Sequence, residues 1–273
     1  LRAAGKRERR TADRQGPRRG GAGVDEPARA TLLWRAIAEA HKLLRGQLIL
    51  IHGGGRAVDA QLERLGFTTE RREGIRITPH EQLDQIVGVL AGRVNKALVG
   101  AIQAQGVRAV GLCLGDGNSM RTIKADQYSF DPGRVGRVAS GDPDLLRLLT
   151  DSRFLPVLSS IGLDDEGQFL NVNADDAAAG IASILHARGL VLLTDVPGIL
   201  DEQRNLVPQV SPAEVARLIE RSVISGGMIP KATAAVRAAS AAATPTIIAS
   251  WNNPDDLVRL ARGETAGTRV LPG

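Results

Sequence analysis

The sequence predicts an α/β protein with a mainly parallel sheet covered on both faces. Three observations carry this. Short apolar runs at 47–51, 107–114, 155–160, 190–193 and 246–249 show no in–out alternation, as strands buried on both sides do. Segments with helical spacing of apolar residues separate them. Several runs end abruptly in Gly-rich or Asp/Asn-rich turns, as the strand–helix connections of an α/β sheet do. In such a sheet, ligands lie beyond the carboxyl ends of the strands. Chemistry is therefore expected at residues 52–55, 115–117, 171–176 and 194–198.

The elements follow in order. Residues 28–44 carry helical spacing in Leu32, Leu33, Ile37 and Leu44. The run 47–51 stops at His52-Gly53-Gly54-Gly55, and the next helix aligns Val58, Leu62 and Leu65. Glu73-Gly74 makes a hairpin turn between two short strands. Thr78-Pro79-His80-Glu81 reads as a helix start, with Thr78 as N-cap, Pro79 at the first position and Glu81 closing a capping box. That helix runs to about Gln105, and the strand after it ends in Gly115-Asp116-Gly117. Residues 121–141 form a hairpin turning at Asp131-Pro132-Gly133, followed by a helix over 142–151 and a buried strand at 155–160. A turn at Asp164-Asp165-Glu166-Gly167 precedes an Ala-rich helix over 174–187. The strand 190–193 enters Thr194-Asp195-Val196-Pro197-Gly198. Ser211-Pro212-Ala213-Glu214 opens a capped helix, 230–242 is helical, and 246–249 is a strand.

Composition narrows the function. A chain of 273 residues makes one large domain or two lobes. With 43% hydrophobic and 24% charged residues it folds as a globular body. Aromatics are only 3%, too few for a base-stacking or sugar-stacking surface. Cys113 is the single cysteine, so an intrachain disulfide and a cysteine-based metal cluster are excluded. A reducing compartment, the cytoplasm, fits. No apolar run has the about 18–20 residues that span a bilayer, and no signal-peptide core is present. Neither a membrane nor a nucleic-acid partner is expected. The net charge of +5 is unevenly placed: residues 1–19 carry eight basic and two acidic groups, so the remaining chain is one unit negative. In residues 1–23, Arg, Ala, Gly and Pro fill seventeen positions, and no large apolar residue stands between Leu1 and Val24. The stretch reads as a basic arm for an acidic partner, a solvated tail, or the out-of-frame translation of a GC-rich coding stretch.

The candidate chemistry sits at the strand ends. His52-Gly53-Gly54-Gly55 precedes a helix, so its free N–H groups suit an anion; the alternative is a tight turn without a ligand. An HGGG loop also serves hydrolases, but no serine here has glycine at both −2 and +2, so that reading falls. Neither a Walker loop nor a dinucleotide fingerprint occurs. Asn171, Asn173 and Asp175 crowd before a helix, as N-caps or as a polar site. Lys231 opposes the dipole at a helix start, which a bound phosphate would explain and a solvated side chain would not require. Arg76 is either a carboxylate clamp or a surface arginine, and Cys113 reads as a small buried apolar residue.

Eight segments in order, ILIHGGG (49–55), GIRITP (74–79), LAGRVNK (90–96), GLCLGDG (111–117), PVLSSIG (156–162), LNVNADD (170–176), LLTDVPGIL (192–200) and GGMIPK (226–231), resemble the N-acetylglutamate kinases of the amino-acid-kinase family, over about residues 24–270. The resemblance implies a homodimeric three-layer α/β/α sandwich, with an acyl-amino-acid-binding lobe at 24–189 and a nucleotide-binding lobe at 190–273 after a tail at 1–23. It implies phosphoryl transfer from ATP, with magnesium held by the ATP phosphates, to the side-chain carboxylate of N-acetyl-L-glutamate in arginine biosynthesis. By the same resemblance Arg76, Asn171 and Asn173 bind the substrate, and Gly54 and Gly55 offer N–H groups to it. Lys231 stabilises the phosphates and Asp175 orients the catalytic lysines. Gly21, Thr194, Asp195, Gly198, Gly227 and Met228 line the nucleotide site. The family begins with an apolar strand into Lys-Leu-Gly-Gly. Here Arg18-Arg19-Gly20-Gly21 stands at that place without the strand, and Arg18 is the stand-in for the lysine. A homologue that binds without turnover, or a kinase for a related acyl-amino-acid such as an aminoadipate derivative, are the alternatives. No apolar amino-terminal helix is seen, which favours insensitivity to arginine.

Overall fold

A computed structural model describes residues 26–72 and 74–273. The expectations placed on residues 1–25, Arg18 and Gly21 among them, lie outside the described residues.

Three strands form a parallel sheet in the order β1-β7-β4: β1 (Leu50–His52), β4 (Ala109–Cys113) and β7 (Leu155–Ser159). Side chains alternate across it and both faces are covered. Val157 packs with Ile37 of α1 (Glu26–Leu43) and with Ile102 of the long helix that follows β3. Its neighbour Leu158 packs with Leu146 of α5 (Asp144–Asp151) and with Ala177 and Ile181 of α6 (Ala174–Leu185). This alternation between two buried faces is why the strand reads as a continuous apolar run.

Between β1 and β4 come α2 (Gly55–Arg64), the hairpin β2 (Arg71–Arg72) and β3 (Ile75–Arg76), and that long helix. The helix begins as α3 (His80–Val87), widens to a π-helical segment (Gly88–Val94) and continues as α4 (Asn95–Gln103). By length and composition the run could cross a membrane, although no single apolar stretch showed this. Its Ile86, Val89, Leu90 and Ile102 are buried in two cores, while most of its other residues are half-buried or exposed. A second sheet, in the order β5-β6-β9-β8, is built from β5 (Arg121–Lys124), β6 (Val135–Ser140), β8 (Ile161–Leu163) and β9 (Phe169–Val172). The third runs β10-β12-β13-β11: β10 (Leu190–Thr194), β11 (Gln209–Val210), β12 (Thr246–Ser250) and the antiparallel β13 (Thr268–Val270). It packs against α7 (Pro212–Glu220) and α8 (Met228–Ala242), while α9 (Asp255–Ala261) returns to α1.

α6 joins the two halves. Ala177 and Ile181 lie in the first core, and Ala178 and Ala179 in the second. Alanines let the backbone come close on both sides. β1 and β10 end their sheets with one edge unpaired among the described residues, and both pack on α6.

Three local expectations are corrected. Leu65 is 49% exposed and leaves the apolar face of α2 to Val58 and Leu62. β1 is shorter than its apolar run. Thr78 does not cap α3: Pro79 holds that position with no side-chain cap, and Thr78 is buried with its hydroxyl donating to the Arg76 carbonyl at 3.1 Å. Burial redirected the hydroxyl. The capping box at Ser211 forms as expected.

Candidate active site

In the parallel register His52 lies opposite Ser159, and Ser159 opposite Cys113. Thr194 lies opposite Ser250 in the other half. Their following loops make the carboxyl edge.

Gly54 is the N-cap of α2, so the first N–H groups of that helix have no intrahelical partner and face out as an anion cradle. The loop is pressed from two sides. A Cβ at Gly53 would lie 3.3 Å from the Ala174 methyl, and one at Gly54 would lie 2.8 Å from the Leu90 side chain. His52 fixes the loop from below. Its Nδ1–H donates to the Gly53 carbonyl at 2.8 Å, and its Nε2 accepts from Asn95 Nδ2 at 3.0 Å. These partners assign the neutral tautomer, and burial lowers the proton affinity of the ring further.

Arg76 is not a surface residue, being only 7% exposed. Nη1 donates to Asp59 at 2.6 Å and Thr69 at 3.3 Å, and Nη2 to the Gly55 carbonyl at 3.1 Å. Asp59, also bound by Arg71 at 2.9 Å, has its carboxyl held below the usual range, mainly by Arg76. Three of the five guanidinium N–H groups are thereby used. The two left belong to the neighbouring Nε and Nη2, which a carboxylate can take together.

Asn171, on β9, donates to Thr78 Oγ1 at 3.0 Å and so ties the arginine hairpin to the sheet. Asn173 is the N-cap of α6, accepting from the N–H groups of Asp175 and Asp176 at 2.9 and 3.1 Å. Its carbonyl is committed to the helix, and its amide N–H groups are what remain for a ligand. Asp175 is exposed at its side chain, yet many protein atoms lie around it. That crowding, with the nearby Asp176, pushes its carboxyl above the usual range. Asp176 pairs with Arg237 of α8 at 2.9 Å.

Across α6, Lys231 stands in the first turn of α8 behind Gly227 and Met228, paired with Asp195 at the end of β10. This holds Asp195 below the usual carboxylate range. Thr194 closes a small turn onto Val196. Gly198 (φ 150) packs on Thr268, whose hydroxyl accepts from the Ile199 N–H at 2.8 Å. Gly227 has open space around it.

Residues 19–250 match the amino acid kinase family. The chain belongs to that family. Acetylglutamate kinases of Actinobacillus succinogenes and Vibrio parahaemolyticus are each 42% identical to this amino acid kinase over 253 residues, 93% of this chain and 97% and 95% of those proteins. Among solved structures, smu.665 from Streptococcus mutans UA159 superposes with a TM-score of 0.67 at 26% identity, covering 86% of this chain and 89% of that one. Carbamate kinase from Giardia lamblia bound to AMP-PNP gives 0.59 at 18%, covering 93% of each, a likeness of fold.

The kinase fold brings Gly54, Gly55, Arg76, Asn171, Asn173 and Asp175 to one side of α6 and Thr194, Asp195, Gly227, Met228 and Lys231 to the other. Gly198 sits beneath the second group as a packing residue. From the sequence alone, Asp59 and Asn95 have no place in the site, and Thr78 reads only as an N-cap. The segments GIRITP and LAGRVNK contain Thr78 and Asn95, but the partners that tie them to the site, Asn171 and His52, lie elsewhere in the chain.

Proposed function

We propose that the chain transfers the γ-phosphoryl group of ATP to the side-chain carboxylate of N-acetyl-L-glutamate, as an acetylglutamate kinase of arginine biosynthesis in the cytoplasm. The observation that carries this is 42% identity over 93% of the chain to proteins of that name. The site chemistry supports it. A carboxylate acceptor is ionised at neutral pH and needs no base, so catalysis is positioning and charge stabilisation. Arg76 grips the α-carboxylate through its remaining N–H pair, and Asn171 and Asn173 flank the amino-acid moiety. Gly54 and Gly55 offer N–H groups to the moving phosphoryl. Lys231 faces the leaving phosphates, and Asp175 orients the cations. Arg18 supplies the second cation, and Gly21 with Thr194, Asp195, Gly227 and Met228 lines the nucleotide, on a turn that Gly198 packs from beneath. This donor set of N–H groups and cations fits phosphate oxygens. Magnesium comes with ATP and is held by its phosphates, where it neutralises charge.

The active form is a homodimer. The long helix at 80–103 supports this with its exposed Gly88, Ala97 and Gly100, where a second backbone can approach closely.

The test is ADP release by the purified chain with ATP, magnesium and N-acetylglutamate, with the N-acetyl-aminoadipate homologue in parallel and sedimentation for the dimer. Turnover preferring N-acetylglutamate is expected. A folded chain that binds both substrates without releasing ADP refutes the proposal.

A further inference from the structure

A hollow of about 620 Å³ opens at the amino-terminal edge of the β1-β7-β4 sheet, away from the loops described above. β7 has five residues at about 3.3 Å each, so the two edges lie on the order of 15 Å apart. Arg35, Lys42, Arg45, Arg108 and Arg153 line the hollow, with Glu39 as the single carboxylate. None of the five cations is in a salt bridge among the described residues. Arg108 lies flat on the Phe154 ring, 3.7 Å from its centroid.

Helix ends account for part of this charge. α1, α4 and α5 all finish here, at Leu43, Gln103 and Asp151. Each carboxyl terminus carries about −0.5 of a charge, together about −1.5. Five cations less Glu39 and Asp151, the residue that ends α5, leave three positive charges, so a surplus of roughly one to two remains after the helix ends are satisfied. The rest of the chain beyond residue 19 is one unit negative, so this surplus is local.

The backbone also concentrates the charge. Arg45 (φ 55) and Arg153 (φ 59) both take left-handed conformations, which cost non-glycine residues about 1 kcal/mol each. Gly46 (φ 92) locks the two turns together: a Cβ there would lie 2.8 Å from the Thr150 carbonyl and 3.0 Å from Arg153 Cα. Beside the hollow, His41 is 8% exposed; its ring interacts with the Phe154 backbone, and its buried Nε2 has no hydrogen-bond partner.

We propose that this hollow is a second anion site for a small di- or trianion, of the diphosphate or di- and tricarboxylate class. The five cations surround its charges, and the His41 ring behind them reports on occupancy. Residual positive charge and ligand charge then cancel.

The test is isothermal titration of the full chain with inorganic pyrophosphate at low salt. Lys231→Ala removes phosphate capture at the opposite edge. The Lys231→Ala chain is expected to keep a pyrophosphate site, and adding Arg45→Asn and Arg153→Asn to weaken it at least tenfold. Asparagine tolerates left-handed backbone, so the turns survive. Arg35→Gln with Lys42→Gln, on the exposed side of α1, weakens it by a second route. The His41 ring ¹⁵N signals move on titration in the parent chain and stay still in the variants. Displacement by citrate extends the site to carboxylates, and its failure restricts it to phosphates. Loss of all binding with Lys231→Ala, or affinity unchanged within twofold in both charge variants, overturns the proposal.

Discussion

Replacing Arg76 by Met keeps the apolar stem and deletes the guanidinium. The change removes hydrogen bonds to Asp59, Thr69 and the Gly55 carbonyl. Breaking a fully buried ion pair costs about 3–5 kcal/mol, because one charge is stranded. Here Asp59 is 41% exposed and keeps Arg71, so water and the second arginine take over. About 2 kcal/mol is therefore expected, with an unfolding midpoint about 5 °C lower. The catalytic effect is larger. Losing a charge-assisted grip on the substrate carboxylate costs about 3 kcal/mol, or about a hundredfold in kcat/KM for N-acetylglutamate. Arg76→Lys restores the charge but not the fork, so its midpoint recovers further than its KM. The assays are thermal unfolding and initial rates over both substrates. If the midpoint falls by about 5 °C while KM for N-acetylglutamate is unchanged, the leftover N–H pair has no substrate role and the reasoning fails.

Lys231→Ala is expected to lower kcat by about 10²–10³ with almost no change in unfolding midpoint, since the pair with Asp195 is 28% and 58% exposed and such pairs contribute little; a lowered midpoint with kcat intact contradicts this. Asp175→Asn is expected to impair turnover yet stabilise the fold at neutral pH. Its folded carboxyl titrates above the usual range, so its ionisation opposes folding as pH rises through that raised value, and the gain disappears below the ordinary carboxylate value. Unfolding midpoints of both chains across acid to neutral pH check the sign. Asn95→Ala is expected to cost about 2 kcal/mol, because it strands buried His52 Nε2 and removes an added bond to the Val157 carbonyl; a denaturant midpoint within error of the parent excludes that network as a support of the glycine loop.

What was legible in the sequence was local. The capping box at Ser211 and the glycine loop after β1 depend on residues within a few positions of one another. What was not legible was set at long range. Thr78 has the sequence signature of an N-cap, and its burial against Asn171, 93 residues away, turned its hydroxyl elsewhere. From its neighbours in sequence Arg76 reads as a surface residue more readily than as a clamp; Asp59 and the Gly55 carbonyl, which enclose it, both come from α2. Asn95 gave no signal of its own, since the two partners its amide donates to, His52 and Val157, come from distant strands. β11 and β13, of two and three residues, are too short to show a period. The basic hollow draws on three helix ends far apart in the chain, and no window of sequence contains them.

On the proposed reading the two described cations of the site do different work, and their surroundings say which. Arg76 is buried, bound through three N–H groups, and paired with an aspartate that a second arginine also holds. Moving it would break several charge-assisted bonds at about 1.5–3 kcal/mol each, so it serves as a fixed point against which the acceptor is placed. Lys231 has one carboxylate partner, in a pair that water reaches. Exposed pairs contribute roughly 0–1 kcal/mol, so exchanging Asp195 for phosphate oxygens costs little. A phosphoryl transfer needs both kinds of cation. The acceptor must arrive at a set distance, whereas the charge on the transferred group shifts during the reaction and a compact ammonium on a flexible stem can follow it. α6 holds the two in one frame, because its alanines are buried in both cores and Asp176 at its start is bound to Arg237 of the helix that carries Lys231.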